Sequence, residues 1–236
     1  RELDRIATQR AAGLGAPVPV LVHALVEHYE AYGDLIAKMY GDADRVDGLA
    51  EVARELMGSR TVRFFHEHVL VKEPGAVEPT PWHHDDPYYG IDGMDNVSIW
   101  LPLDPIPESV ALRFIVGSHL WNKRFIPRRF ADQSAYVDEA RDFVTMPDQS
   151  ELDEMQSITC PVNLGDAVAF HYRTLHSAPG TLGTEVNLRR AVSFRYVGDD
   201  AVFASRPWRT SPPLEGNGLS FGEQLDDPRF PLVATR

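Results

Sequence analysis

The residues best equipped for chemistry lie in Thr80-Pro81-Trp82-His83-His84-Asp85-Asp86-Pro87-Tyr88-Tyr89, where imidazoles and carboxylates sit among aromatic rings and prolines. An imidazole and a carboxylate two residues apart at the end of a strand share one face and can grip a cation from one side. Two registers satisfy that spacing, His83 with Asp85 and His84 with Asp86. The first is preferred, because Asp86-Pro87 favours leaving the strand, and Trp82 and His84 then share the opposite face. A third ligand can come from Phe170-His171-Tyr172-Arg173-Thr174-Leu175-His176-Ser177 if the fold lays the two segments side by side. His176 follows a strand that begins after Gly165-Asp166, and a ligand at a strand exit faces the mouth of a barrel. His119 and His171 are its rivals and are read as hydrogen-bonded structural residues. Two histidines and one carboxylate cover one face of a divalent metal and leave the rest open, the set that suits iron(II) in oxygen chemistry.

Further polar groups could serve such a centre. The run Arg189-Arg190-Ala191-Val192-Ser193-Phe194-Arg195-Tyr196 opens on two guanidinium groups, either of which could anchor a dicarboxylate through paired hydrogen bonds. On the run 61–72, His66, His68, Leu70 and Lys72 fall on one face, because strand side chains alternate. With that face inward, they bring polar groups to a pocket, and Tyr88 and Tyr89 stand beside it as further candidates for substrate contact.

The elements that must position these groups are legible in the periodicity. Over 18–40 the residues Val22, Leu25, Val26, Tyr29, Tyr32, Leu35, Ile36 and Met39 recur at helical steps, and a second helix holds Leu49, Val52 and Leu56. Gly41-Asp42 separates the two, and Gly58-Ser59 ends the second. From there the pattern turns to β-rich runs at 61–72, 97–103, 112–116, 167–171 and 191–197, bounded by Pro, Gly and Asp. The expected fold is mainly β, a double-stranded β-helix (a jelly-roll, cupin-like core) behind an N-terminal helical layer. The whole of 1–236 reads as one domain: helical layer 1–58, jelly-roll core 60–198 with an insertion at 121–155 that covers the site, and an irregular C-terminal strap over 199–236.

Composition narrows the function classes. In 236 residues, 35 acidic against 23 basic groups give a net charge of −12, which opposes unspecific binding to nucleic acid or to an anionic membrane. No apolar run approaches the roughly 18 residues needed to span a bilayer. Cys160 is the only cysteine, so no intrachain disulfide can form, which fits a cytoplasmic setting, and it is read as a buried apolar thiol. The chain opens at Arg1 without a methionine or a signal segment, so the N-terminus is treated as open to having been trimmed.

Together these residues resemble the phytanoyl-CoA dioxygenase family of Fe(II)- and 2-oxoglutarate-dependent oxygenases, over about 64–198. The family's His-Gln-Asp is similar to Trp82-His83-His84-Asp85, with His84 in place of Gln, which settles the register on His83 and Asp85. Its Gly-Asp, apolar run and Leu-His resemble Gly165-Asp166 through Leu175-His176, which makes His176 the third ligand. The resemblance also implies Arg189, before Arg190-Ala191, as the 2-oxoglutarate anchor. Lys72 in Val71-Lys72-Glu73-Pro74-Gly75 and Trp100 in Ile99-Trp100-Leu101-Pro102 then help to hold that co-substrate. Gly117-Ser118-His119 resembles the family's Gly-Ser-His turn, which keeps His119 structural. One departure is that Ala178 stands where some members carry a serine, with Ser177 one position early.

The activity so implied is oxidation of a small molecule with Fe(II), 2-oxoglutarate and O2, releasing succinate and CO2. Members that halogenate lack the carboxylate ligand; Asp85 is present, so hydroxylation is expected. His66, His68, Tyr88 and Tyr89 are the expected substrate contacts. Two other readings remain, a jelly-roll zinc hydrolase or isomerase and a non-catalytic ligand-binding module, and the Arg189 and Lys72 cations favour the oxygenase over the hydrolase. Substrate, regiochemistry and oligomeric state are not legible in the sequence.

Overall fold

The computed structural model describes residues 43–130, 132, 134–184, 186, 188–214 and 218–235. The helix expected over 18–40 lies outside the described residues. In chain order the elements are helix α1 (Ala43–Met57), strands β1 (Thr61–Lys72), β2 (Thr80–His83), β3 (Ile91–Asp92), β4 (Asn96–Pro102) and β5 (Leu112–Ile115), then helix α2 (Gln149–Asp153). Strands β6 (Ser157–Cys160), β7 (Val168–Phe170), β8 (His176–Ala178), β9 (Arg189–Val197), β10 (Val202–Phe203) and β11 (Leu232–Thr235) follow. The protein is mainly β, a jelly roll of antiparallel strand pairings: a five-stranded sheet in the order β11-β1-β9-β4-β7, a four-stranded sheet β2-β8-β5-β6 and a short pair β10-β3.

Helix α1 covers the outside of the five-stranded sheet. Leu49, Ala50, Ala53 and Met57 form its packed stripe, against Val97, Ile99, Val192, Phe194, Tyr196 and Ala234. The face differs from the one expected. Leu49 does pack inward, but Val52 and Leu56 are 46% and 58% exposed, while Ala50 and Ala53 are buried. The sheet already presents Phe194 and Tyr196 in that layer, so small residues let the helix come close. Gly58 ends the helix at φ +69°, its N–H bonded to Arg54 O at 2.9 Å, a left-handed cap that costs glycine no Cβ clash.

A bulge in β1 decides which side chains enter the barrel. Phe64 pairs with Tyr196 and His66 with Arg195, so Phe65 is an extra residue without a partner on β9. Before it Val62 and Phe64 face the helix layer, and after it Val69 does so too. That parity change leaves His66, His68, Leu70 and Lys72 on the inner face, while the outer face keeps Val62, Phe64 and Val69 in the helix layer and also carries the buried Glu67. Phe65 itself packs into a separate cluster with Tyr89, Tyr172 and Phe230.

The five strands expected from sequence are present as β1, β4, β5, β7 and β9, with ends shifted by at most two residues. The strand expected to carry the His-x-Asp pair is present as β2 but stops at His83, and the unforeseen strands β3, β6, β8 and β10 have two to four residues each, too few for a period to emerge. The tail expected to be irregular holds β10 and β11, and β11 closes the edge of β1, pairing Thr61 with Thr235. An otherwise open strand edge is a strong template for pairing, and it recruits this short run despite the nearby prolines. The 121–155 segment is ordered by Phe125, Met146 and Leu152, which join Trp82, Ile115 and Leu175 in one buried cluster. Cys160, expected to be buried, is only half-buried, and desolvation pushes its thiol up.

The reversed helix face has a measurable consequence. Ala53→Leu overpacks the helix–sheet contact and is expected to cost about 1–3 kcal/mol in chemical denaturation. Leu56→Gln, on the exposed side, is expected to change stability by no more than about 0.5 kcal/mol.

Candidate metal centre

Strands β2 and β8 pair antiparallel with His83 opposite His176, which brings two segments distant in sequence to one point. A ring nitrogen facing a carbonyl oxygen must carry the hydrogen. His83 Nδ1 lies 2.8 Å from Pro81 O and His176 Nδ1 lies 2.9 Å from Thr174 O, so both rings donate from Nδ1 and keep an Nε2 lone pair. Asp85 is positioned differently from the expected strand alternation, because β2 ends at His83 and Asp85 has helical backbone angles at the head of a 3-10 turn over Asp86–Tyr88. The N–H groups of Asp85 and Asp86 both donate to Tyr172 O, at 2.8 and 3.1 Å, and tie this turn to the one preceding His176. Asp85 Oδ1 then lies 3.9 Å from His83 Nε2 and 4.0 Å from His176 Nε2. These three buried residues each offer a ligand atom, all within 4.8 Å of one another, a set that could hold one metal ion. His176 follows strand β7 as its sequence context suggested, but it stands beyond the intervening turn and opens strand β8 rather than sitting at a strand exit.

The electrostatics favour the protonation states that a metal requires. Burial, then the neighbouring His176, push His83 down to about 3, and burial lowers His176 as well. For Asp85, burial works upward, but the Arg195 guanidinium with His176 and His83 holds it far below the usual carboxylate range. At neutral pH the site is two neutral imidazoles and one carboxylate, ready for a cation without prior proton loss.

A layer behind the triad was not foreseen. Ser98 Oγ donates to Asp85 Oδ2 at 3.1 Å, and Arg195 Nη2 approaches the same oxygen at 3.3 Å. Arg195 Nε donates to the Tyr89 hydroxyl, and Arg195 Nη1 to Ser193 O at 3.1 Å. Tyr89, expected to touch substrate, is 2% exposed and stands behind Asp85 instead. Arg195 shares strand parity with Arg189, so alternation along β9 was the available signal; its partner on another loop was not.

The rival register does structural work. His84 Nε2 accepts the Phe125 N–H at 3.1 Å, and burial pushes the ring down to about 4. Asp86 receives Arg124 Nε at 2.7 Å and Arg173 Nε at 3.1 Å, and Asp92 receives Arg124 at 2.7 Å and Arg206 at 2.9 Å. These groups fasten the insertion, the β7–β8 turn and the tail around the loop that carries Asp85. His171 Nε2 donates to Met94 O at 3.0 Å, and its Nδ1 accepts the Arg173 N–H; His119 makes a ring contact with it at 5.9 Å. Ser177 is buried, and its Oγ accepts Arg113 Nε at 3.2 Å.

Along the barrel interior, the cross-strand registers align His68, Ser193 and Trp100, and pair Lys72 with Arg189. Both nitrogens of His66, Trp100 Nε1 and Ser193 Oγ are buried without a hydrogen-bond partner among the described residues. Orphaned polar groups of this kind are costly unless something polar occupies the space between them. The Arg189 Nη1 donates to Val110 O at 2.6 Å, while Lys72 Nζ meets Pro179 O at 2.7 Å and Ala178 O at 3.2 Å. Two adjacent cations bonded to neutral carbonyls suit an added carboxylate. Burial and the nearby Arg189 push Lys72 down to about 7, and burial lowers Arg189 to about 10. The other arginine, Arg190, points outward into a bidentate pair with Asp104, at 2.9 and 2.5 Å.

The opposite side of His83 is aromatic. Phe130 lies 4.8 Å from its ring and Tyr88 6.1 Å, and Phe130 is 50% exposed. The Tyr88 hydroxyl donates to Arg128 O at 2.7 Å, so the residue turns its ring rather than a free donor toward this space.

Metal titration separates the two registers. Co(II) binding, followed by visible absorption, is expected to be lost in His83→Ala and in His176→Ala. In His84→Ala it is expected to persist, while thermal stability falls because the Phe125 N–H loses its buried acceptor.

Comparison with known proteins adds to this geometry. The profile of the phytanoyl-CoA dioxygenase (PhyH) family matches residues 23–191. No curated protein sequence matches the chain. Among solved structures, the non-heme alpha ketoglutarate dependent epimerase SnoN from nogalamycin biosynthesis is similar, with 26% identity, 85% of this chain and 74% of that one covered, and a TM-score of 0.60. The same epimerase in complex with Fe3+, alpha ketoglutarate and nogalamycin RO gives 25% identity, 85% and 76% coverage, and a TM-score of 0.61. The non-heme alpha ketoglutarate dependent carbocyclase SnoK from the same biosynthesis gives 25% identity, 79% and 67% coverage, and a TM-score of 0.58.

Proposed function

The chain belongs to the phytanoyl-CoA dioxygenase family, and from that premise we propose that it hydroxylates a small molecule with His83, Asp85 and His176 as its iron ligands. The protein is an Fe(II)- and 2-oxoglutarate-dependent oxygenase. Bound together, iron, 2-oxoglutarate and O2 supply an oxidant that takes a hydrogen atom from the substrate, with release of succinate and CO2. The observation that carries the assignment is the buried triad, whose two imidazoles have their Nδ1–H groups tied to backbone carbonyls and whose Nε2 atoms converge on Asp85 Oδ1.

The remaining roles follow from the two sides of the site. Arg189 and Lys72 bind the far carboxylate of 2-oxoglutarate, and Trp100 Nε1 and Ser193 Oγ supply donors along the way. His66 and His68 reach the same interior from β1, and Tyr88 with Phe130 presents an aromatic wall to substrate. Burial of the ligands keeps bulk water away from them. Asp85 as a ligand favours transfer of oxygen over halogenation. The similarity to an epimerase and a carbocyclase favours a second outcome, hydrogen removal without oxygen insertion. We assign the function to one oxygenase domain, in a cytoplasmic setting, with a small-molecule substrate and no nucleic-acid or membrane partner.

Anaerobic titration with Fe(II) and then 2-oxoglutarate tests the reading. A weak visible charge-transfer band is expected, absent in His176→Ala and reduced in Arg189→Ala; no band with iron fully bound would move the zinc hydrolase or the binding module to the front. The pH dependence of 2-oxoglutarate affinity tests Lys72. Its ammonium is present below about pH 7 and is lost as pH rises through that value, so affinity is expected to fall on the alkaline side, a step that Lys72→Met removes.

A further inference from the structure

The two oxygens of Asp85 have different surroundings. Oδ1 faces the imidazoles, at 3.9 Å from His83 Nε2 and 4.0 Å from His176 Nε2. Oδ2 faces away from them, accepting Ser98 Oγ at 3.1 Å and meeting Arg195 Nη2 at 3.3 Å. Arg195 is itself fixed: it is 4% exposed, its Nε bonds the buried Tyr89 hydroxyl, its Nη1 bonds Ser193 O at 3.1 Å, and its guanidinium lies 5.5 Å from the Tyr89 ring centre. The carboxylate therefore meets a fork already aimed at one of its oxygens.

We propose that Arg195 is a positioning residue for the metal: with Ser98 it occupies Asp85 Oδ2, so that Asp85 offers the ion a single oxygen, Oδ1. The inference rests on the iron-site reading and adds to it a determinant of how the carboxylate binds. A carboxylate free to turn can chelate through both oxygens and take up a coordination position. The chemistry here needs open positions for the two chelating oxygens of 2-oxoglutarate and for O2. A partner that holds the non-ligating oxygen preserves them, as groups behind the ligands commonly do for metals. The main-chain bonds from Asp85 and Asp86 to Tyr172 O fix where the residue sits, and Arg195 fixes how its carboxylate is turned.

The test is Co(II) binding to metal-free protein, read by the position and intensity of the d–d bands, with thermal unfolding measured on the same samples. Arg195→Met is expected to weaken Co(II) binding by about 10–100-fold. Its bands should also weaken, as they do when coordination number rises, because the second carboxylate oxygen is released to the ion. Arg195→Lys, which keeps the charge and loses the fork, is expected to recover part of the affinity. Tyr89→Phe, which frees Arg195 Nε at almost unchanged volume, and Ser98→Ala should shift affinity and spectrum the same way by smaller factors. A purely structural ion pair would lower the unfolding temperature and leave affinity and bands as in the wild type, and that result in the folded variants overturns the proposal. Should Arg195→Met fail to fold, Tyr89→Phe and Ser98→Ala decide, and wild-type affinity and spectrum in both overturn it. A wild-type protein that binds no Co(II) removes the iron-site reading itself, whereas wild-type binding that the variants leave unchanged removes only the role of Arg195.

Discussion

A carboxylate placed between two buried imidazoles is tolerable only if a cation meets it, because desolvation opposes the charged form and the metal is absent until it binds. In this protein the cation is Arg195, whose guanidinium is the chief charge that keeps Asp85 ionised against that opposition. The rest of the site can be read as a consequence. Arg195 has to sit on the inner face of β9, Ser98 has to face it from β4, and Tyr89 has to lie close enough to receive Nε. The same burial keeps both imidazoles neutral, so one environment sets the charge of all three ligand residues.

Sheet parity divides the barrel into two chemistries. Outward residues of β1, β4 and β9 are mostly apolar and pack under α1, with Glu67 and Arg190 as exceptions, while inward residues carry the polar groups that surround the site. One extra residue at Phe65 makes this possible, since β1 needs its outward set on both sides of the bulge and its histidines inside. Polar groups then run from the triad toward Arg189 and Lys72, and several have no hydrogen-bond partner among the described residues. The orphaned atoms leave hydrogen bonds that a polar ligand could complete, and the cations beside them would suit a negatively charged end of it. On the other side of His83, Phe130 and Tyr88 offer rings, so the two sides of the site present surfaces of opposite character.

The loop between β2 and β4 is held from three directions. Arg124 from the insertion, Arg173 from the β7–β8 turn and Arg206 from the tail converge on Asp86 and Asp92. The pairs on Asp86 are buried; such pairs are weak evidence for stability, but they specify one arrangement, since an uncompensated charge there would be costly, whereas Asp92 is partly exposed. Trp208 Nε1 adds a bond to Pro87 O at 2.7 Å. Residues that look like a second metal pair in the sequence are thus the fasteners of the first.

The five longer strands and the inward face of β1 were legible in the sequence, because spacing and alternation are local properties. The His83, Asp85 and His176 set that the fold brings together was legible from the residue types of His-x-Asp and from the family resemblance, on which the choice of Arg189 over Arg190 also rests. Arg195, Ser98 and Tyr89 were not, since each acquires its role from a partner on another strand or loop, and no periodicity encodes a contact across a barrel. The face of α1 was misjudged for a related reason: apolar size favoured Val52 and Leu56, but the space left by Phe194 and Tyr196 selected Ala50 and Ala53. The β11 edge strand and the ion cluster around Asp86 likewise exist only once the sheet has formed an edge to fill and a loop to hold. Sequence alone determined which residues could do chemistry; the tertiary structure decided which oxygen, nitrogen and face each one presents, because orientation is set by packing and hydrogen bonding between segments far apart in the chain.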